Sequence, residues 1–250
     1  MHEPLKRIVP GAGKAVLFVH GIVSTPRFFD DFTAIIPRDW SVHNLLLPGH
    51  GGTVREFGKH SAKEWTAHVR SAIDELRKDH EQVYIVAHSL GTLLSIRAAV
   101  ADSTRIAGML LLCVPLRIWA KPSALIHNTL KGVGLAENTA ALQTYYGTDQ
   151  DWRVWRYIGW IPRYLELFGE SAAARREVSR LKVPTLVYMA EKDELVSLRS
   201  VKEMAGIPCI EVRRMPGSHH HDFAPEDKAL LLGALREMTG MAAAGSSPEG

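Results

Sequence analysis

Three groups of residues in this 250-residue chain have the types, and the order, for nucleophilic catalysis. Ser89 lies in the stretch Val83-Tyr-Ile-Val-Ala-His-Ser-Leu-Gly91, an acidic group of Glu191, Asp193 and Glu194 follows much later, and His219, His220 and His221 come last. A serine hydroxyl attacks only weakly until a base takes its proton, and an imidazole is the usual base when a carboxylate holds its second nitrogen. The chemistry such a set would run is acyl transfer. It requires elements that bring three distant segments to one point.

Those elements can be read from residue pattern. Val83 to Val86 are β-favouring and predict a buried strand, while from Leu90 to about Ala101 apolar residues recur at helical spacing. Ser89 therefore falls on a strand-to-helix turn between the small residues Ala87 and Gly91, where the two backbones pass close together. Ala15 to Val19, Val42 to Leu47, Ile106 to Cys113 and Val183 to Ala190 predict further buried strands, with a last one over Cys209 to Val212. Helices are predicted over 27–36, 61–78, 197–205 and 225–238; in the second, Trp65, Val69, Ala72, Ile73 and Leu76 share one face. Short apolar strands alternating with helices predict an α/β fold, a mostly parallel sheet covered on both faces.

The Ser89 turn resembles the nucleophile elbow of the α/β-hydrolase superfamily, Gly-x-Ser-x-Gly, with Ala87 in place of the first glycine. His20-Gly21 at the end of an early strand is similar to the oxyanion loop of that superfamily, and Leu47-Pro-Gly-His-Gly-Gly52 is similar to another of its loops. The order serine, acid, histidine is also its order. The resemblance implies Ser89 as nucleophile, the N–H groups of Ile22 and Leu90 as oxyanion donors, and His20 and Gly21 beside the substrate. The family's Lys-Asp-x-x-Val pattern falls on Lys192 to Val196 and selects Asp193 as the acid. A Ser-x-His pattern from Ser218 and a Gly-x-x-His pattern from Gly217 both select His220 as the base, with His221 as the rival. No metal or organic cofactor is called for. Three adjacent histidines followed by Asp222 diverge along the chain and lack the spaced partners of a metal site.

Between 115 and 180 the alternation stops, and this segment holds Trp119, Trp152, Trp155 and Trp160, four of the six tryptophans, with four of the six tyrosines. The resemblance makes it a helical cap inserted into a core formed by 1–114 and 181–239, with Trp119 and Trp155 expected along an apolar pocket. Residues 240–250 lack periodicity and predict a disordered tail. The finer likeness is to carboxylesterases and monoacylglycerol lipases, which implies small acyl esters as substrates. A prolyl-type aminopeptidase or amidase is the alternative, since Glu137, Asp149, Asp151, Glu166 or Glu170 would be available to hold a substrate amine. A non-catalytic binding member is a further alternative, against which the full residue set argues.

Composition narrows the field. A formal net charge of +3 with scattered basic residues points away from nucleic acid. No stretch reads as a signal peptide or is apolar for long enough to span a bilayer, and the two cysteines sit in apolar runs, so a cytoplasmic location is expected. Oligomeric state is not written in the pattern.

Overall fold

The computed structural model describes residues 3–119, 148–149 and 153–241. Seven strands form one sheet: β1 (Leu5–Arg7), β2 (Lys14–Val19), β3 (Ser41–Asn44), β5 (Gln82–His88), β6 (Ile106–Leu112), β8 (Thr185–Ala190) and β9 (Ile210–Met215). Their spatial order is β1-β3-β2-β5-β6-β8-β9, with β1 antiparallel to β3 and every other pair parallel. Two short strands, β4 (Gly52–Thr53) and β7 (Thr148–Asp149), pair with each other apart from it.

The period of two along each strand divides the core between the two faces. Leu17, Val19, Ile85, Ala87, Leu111 and Val187 join one apolar cluster, which also holds the buried faces of α3 (Ala62–Asp79) and α4 (Leu90–Ala101). Their strand neighbours Val16, Phe18, Val86, Leu110, Leu112 and Tyr188 join the opposite cluster, with Phe32 of α1 (Asp30–Ala34) and Leu231 and Leu235 of α7 (Pro225–Thr239). Both faces are covered, as continuous apolar strands require. At the start of α3 the Ser61 side chain accepts from Glu64 N–H, and Glu64 in return accepts from Ser61 N–H at 2.6 Å, a reciprocal cap that sets the helix start.

The expected elements are present with shifted ends. The second expected strand stops at Asn44, the helix expected over 197–205 shrinks to α6 (Ser200–Met204), and the last strand runs on to Met215. Helix α2 (Val54–Lys59) and the polar edge strand β1 were not anticipated. Within the segment expected as a cap, α5 (Trp160–Glu177) docks firmly on the core. Arg97 of α4 donates to Glu170 at 2.5 Å and to Glu177 at 3.3 Å, Ser171 Oγ donates to Pro115 O, and Glu166 accepts from Ala62 N–H at 2.8 Å. Trp152, Glu137, Asp151 and the last nine residues of the expected tail lie outside the described residues. No helix among the described residues is long and apolar enough to cross a membrane.

One contact decides whether the centre of this fold can form. A methyl group on Gly91 would stand 2.2 Å from Val19 O and 2.7 Å from His20 O, both main-chain atoms that cannot step aside. Gly91→Ala is therefore expected to push α4 off β2, costing about 3 kcal/mol. In thermal unfolding this lowers the midpoint by roughly 6–12 °C for a chain of this size. An unchanged midpoint would mean that α4 and β2 do not approach so closely.

Candidate active site

Because the strands are parallel, the loops that follow β2, β5, β6, β8 and β9 all leave the same edge of the sheet, where ligands gather in open α/β folds. Ser89 follows β5 directly. Its backbone sits at φ 49°, ψ −122°, a left-handed conformation that costs a non-glycine residue about 1–3 kcal/mol. The strand holds one side of it, through Ser89 N–H to Leu112 O at 3.0 Å, and helix α4 holds the other. Asp193 follows β8, and its Oδ1 accepts from the N–H groups of Leu195 at 2.8 Å and Val196 at 2.7 Å, which fixes the carboxylate. His220 follows β9.

These three meet. Ser89 Oγ lies 3.0 Å from His220 Nε2, and His220 Nδ1 lies 2.7 Å from Asp193 Oδ2. All three residues are buried. Burial opposes a charge on His220, yet the Asp193 carboxylate outweighs it and holds the imidazole above its ordinary value. Burial likewise pushes Asp193 up, and the His220 ring with the two backbone N–H groups outweighs it, so the carboxyl falls below its ordinary range. The arrangement can therefore take a proton from the serine and keep the resulting cation beside an anion.

The neighbouring histidines have other surroundings. His221 packs edge-on against the His220 ring, and burial with the His220 charge pushes it down to about 3, so it stays neutral. His219 is half exposed, with Nδ1 3.5 Å from Glu194 Oε2.

The Gly21–Ser24 turn abuts Ser89: a methyl on Gly21 would lie 2.9 Å from Ser89 Cβ. Ser24 N–H closes the turn on Gly21 O, and Val23 adopts φ 55°, unusual for a β-branched residue. His50 holds that strained turn by accepting from Val23 N–H at 3.1 Å. Leu90 N–H is at the first position of α4, where no intrahelical partner exists, and neither it nor Ile22 N–H has a hydrogen-bond partner among the described residues. Two donors, one in the turn that abuts Ser89 and one next to it in the chain, are thus left open.

His20 departs from its expected place beside a substrate. Its ring is fully buried, with Nε2 accepting from Leu47 N–H at 3.1 Å and Nδ1 2.8 Å from Gly21 O. The side chain therefore shapes the loop from inside while the backbone of Gly21 faces the serine. Trp119 and Trp155 are 64% and 55% exposed, so neither is enclosed against the site. His88, Cys113 and His220 bring donor atoms within 4.8 Å of one another, close enough to hold a soft cation. Each is already engaged: His220 with Ser89 and Asp193, the Cys113 thiol with Asp193, and His88 with the His220 main chain.

Two further residues support the histidine loop without having been singled out in the sequence. Buried Asp227, in the first turn of α7, accepts through Oδ2 from Gly217 N–H at 3.0 Å and Ser218 Oγ at 2.6 Å, and Ser218 Oγ accepts from Ala224 N–H. His88 is the other. An aspartate in a helical first turn is too common to signal such a role, and His88 is legible only as the residue before the serine.

The chain matches the family described as Alpha/beta hydrolase family over residues 16–231. Among solved structures, one from work on LipS and LipT, two metagenome-derived lipolytic enzymes, is 20% identical with a TM-score of 0.72, over 96% of this chain and 98% of that chain. The monoacylglycerol lipase of Paleococcus ferrophilus is 18% identical with a TM-score of 0.65, over 96% and 99%. MenH from S. aureus is 17% identical with a TM-score of 0.58, over 96% and 100%. No protein of curated function matches the sequence. At such identities the structural likenesses speak for the fold alone, but the family match spans most of the chain, and this protein belongs to the alpha/beta hydrolase family.

Proposed function

We propose that this hydrolase cleaves carboxylic esters, of short to medium acyl chain or monoacylglycerols, through an acyl-enzyme on Ser89. The observation that carries the reading is the continuous relay from Ser89 Oγ through His220 to Asp193, with contacts of 3.0 and 2.7 Å. In the proposed cycle His220 Nε2 takes the hydroxyl proton as Oγ attacks the acyl carbonyl, and Asp193 stabilises the imidazolium. Ile22 and Leu90 N–H hold the developing oxyanion, each such donor lowering the barrier by about 3 kcal/mol. His220 then returns its proton to the departing alcohol, and water, activated by the same ring, releases the acid. In this reading residues 115–180 form the cap over a core of 1–114 and 181–239, with α5 as its fixed floor.

Two of the carboxylates that an aminopeptidase would offer to a substrate amine are already committed. Glu170 pairs with Arg97, and Glu166 binds the N–H of Ala62 and pairs with Arg163. The lipolytic enzymes and the monoacylglycerol lipase among its structural neighbours agree with the ester reading. A panel of nitrophenyl esters of rising acyl length, run beside aminoacyl amides, tests it. Esters of short to medium chain are expected to turn over faster than any amide. Robust amide cleavage with esters no better would favour the peptidase instead.

A further inference from the structure

We propose that His88 is the positioning residue for the base: its Nε2–H holds the main-chain carbonyl of His220 and so locks the histidine loop to the nucleophile turn. The inference rests on the serine-hydrolase reading above. His88 is the last residue of β5, one position before Ser89, and the strand alternation sends its ring to the face of Phe28 and Phe223. There it stacks on Phe28 with centroids 4.2 Å apart at 22°, meets His221 and Phe223 edge-on, and is fully buried.

Only one of its nitrogens has polar work. Nε2 lies 2.9 Å from His220 O, and a carbonyl can only accept, so Nε2 carries the proton. Burial first, and the His220 charge next, keep the ring neutral, which leaves Nδ1 as a bare lone pair. Nδ1 has no hydrogen-bond partner, and it faces the oxyanion turn, where a methyl on Gly21 would come within 3.2 Å of it. An unpaired buried acceptor costs about 1–3 kcal/mol, so a leucine or phenylalanine would fill the same space more cheaply. What an apolar residue lacks is the bond to His220.

That bond acts where the loop is otherwise least held. Asp227 anchors Gly217 and Ser218, and His219 N–H closes on Asp222 O, but the main chain of His220, whose ring is held by Asp193 and Ser89, has besides His88 only a long 3.4 Å contact from its N–H to Glu194 Oε2 among the described residues. His88 grips the other side of the same residue. It also touches the oxyanion turn and precedes the nucleophile, so one ring sets the spacing of three parts of the site. Displacing a reacting group by about 1 Å can cost 10²-fold in rate.

Three substitutions separate this role from simple packing. The amide nitrogen of glutamine reaches about where Nε2 stands, that of asparagine only where Nδ1 stands, and methionine fills the volume with no donor. On an ester that the wild type cleaves, His88→Met and His88→Asn are expected to lose about 10–100-fold in kcat with KM little changed. Labelling of Ser89 by a fluorophosphonate, which needs the same base, slows by a like factor. His88→Gln recovers most of both. A methionine variant with wild-type kcat, a glutamine variant as slow as the asparagine one, or losses that merely follow the folded fraction in thermal unfolding would overturn the proposal. Should the methionine variant fail to fold, the glutamine and asparagine pair decides alone. A wild type that neither cleaves esters nor takes the probe overturns the serine-hydrolase reading and this inference together, whereas an active wild type with indifferent variants overturns only this one.

Discussion

Ser89→Ala is expected to lower ester hydrolysis by about 10⁴–10⁶ while leaving the chain folded. The size follows from what the hydroxyl does: without Oγ there is no atom for His220 to activate, and the oxyanion donors and binding contacts are left to act on water alone. The fold is spared because alanine meets the same left-handed backbone as serine and removes one oxygen from a buried site. Strand β5, the Leu112 bond and the packing of α4 against β2 stay as they are. A fluorophosphonate probe is expected to label the wild type at Ser89 and the variant nowhere. Turnover by Ser89→Ala within tenfold of the wild type, or labelling at another residue, would remove Ser89 from the mechanism.

His220→Ala is expected to fall nearly as far, since nucleophile and base act as a unit and removing either forfeits most of what both provide. His219→Ala keeps most of its activity, because that ring stands half in solvent beside Glu194. His221→Ala also keeps most of its turnover, with some loss of stability from the ring contact with His220. The pH profile supplies an independent check on the same residue. His220 works as a base only when neutral, and Asp193 raises its proton affinity, so activity falls as pH drops through a midpoint above the ordinary imidazole value of 6.5. Asp193→Asn leaves burial as the dominant influence and moves that midpoint down, while favouring the wrong tautomer and lowering turnover by about 10³–10⁴. An inactive His221→Ala beside an active His220→Ala would reassign the base.

Much of how this candidate site is assembled could be read from residue pattern because its residues are tied to local signals. Ser89 is flanked by a buried strand and a helix with small neighbours, Asp193 ends a strand, and the histidines follow the next one; parallel strands then place all of them on one edge. What escaped the pattern depends on partners distant in the chain. Strand β1, Leu-Lys-Arg, has no apolar period and exists because β3 offers it a ladder. The end of β9 was hidden by Arg213 and Arg214, which suit an edge strand where Arg213 reaches Glu211 and Tyr188. His20 sits in the expected loop, but only the turn geometry reveals that its ring points inward to Leu47. Asp227 has unremarkable sequence neighbours, His88 stands out only as the residue before Ser89, and both acquire meaning only once the histidine loop is folded beside them.

The position of β9 has a consequence for how such a protein would fail on warming. It is the last strand of the sheet, paired with β8 alone, whereas β5, which carries Ser89, has partners on both sides. An outermost strand opens in local fluctuations that cost less free energy than melting the whole domain. Each opening withdraws His220 from Ser89, which the central strands still hold in its strained turn. Thermal inactivation is thus set by the margin rather than the middle of the sheet, and it is reversible so long as the interior survives.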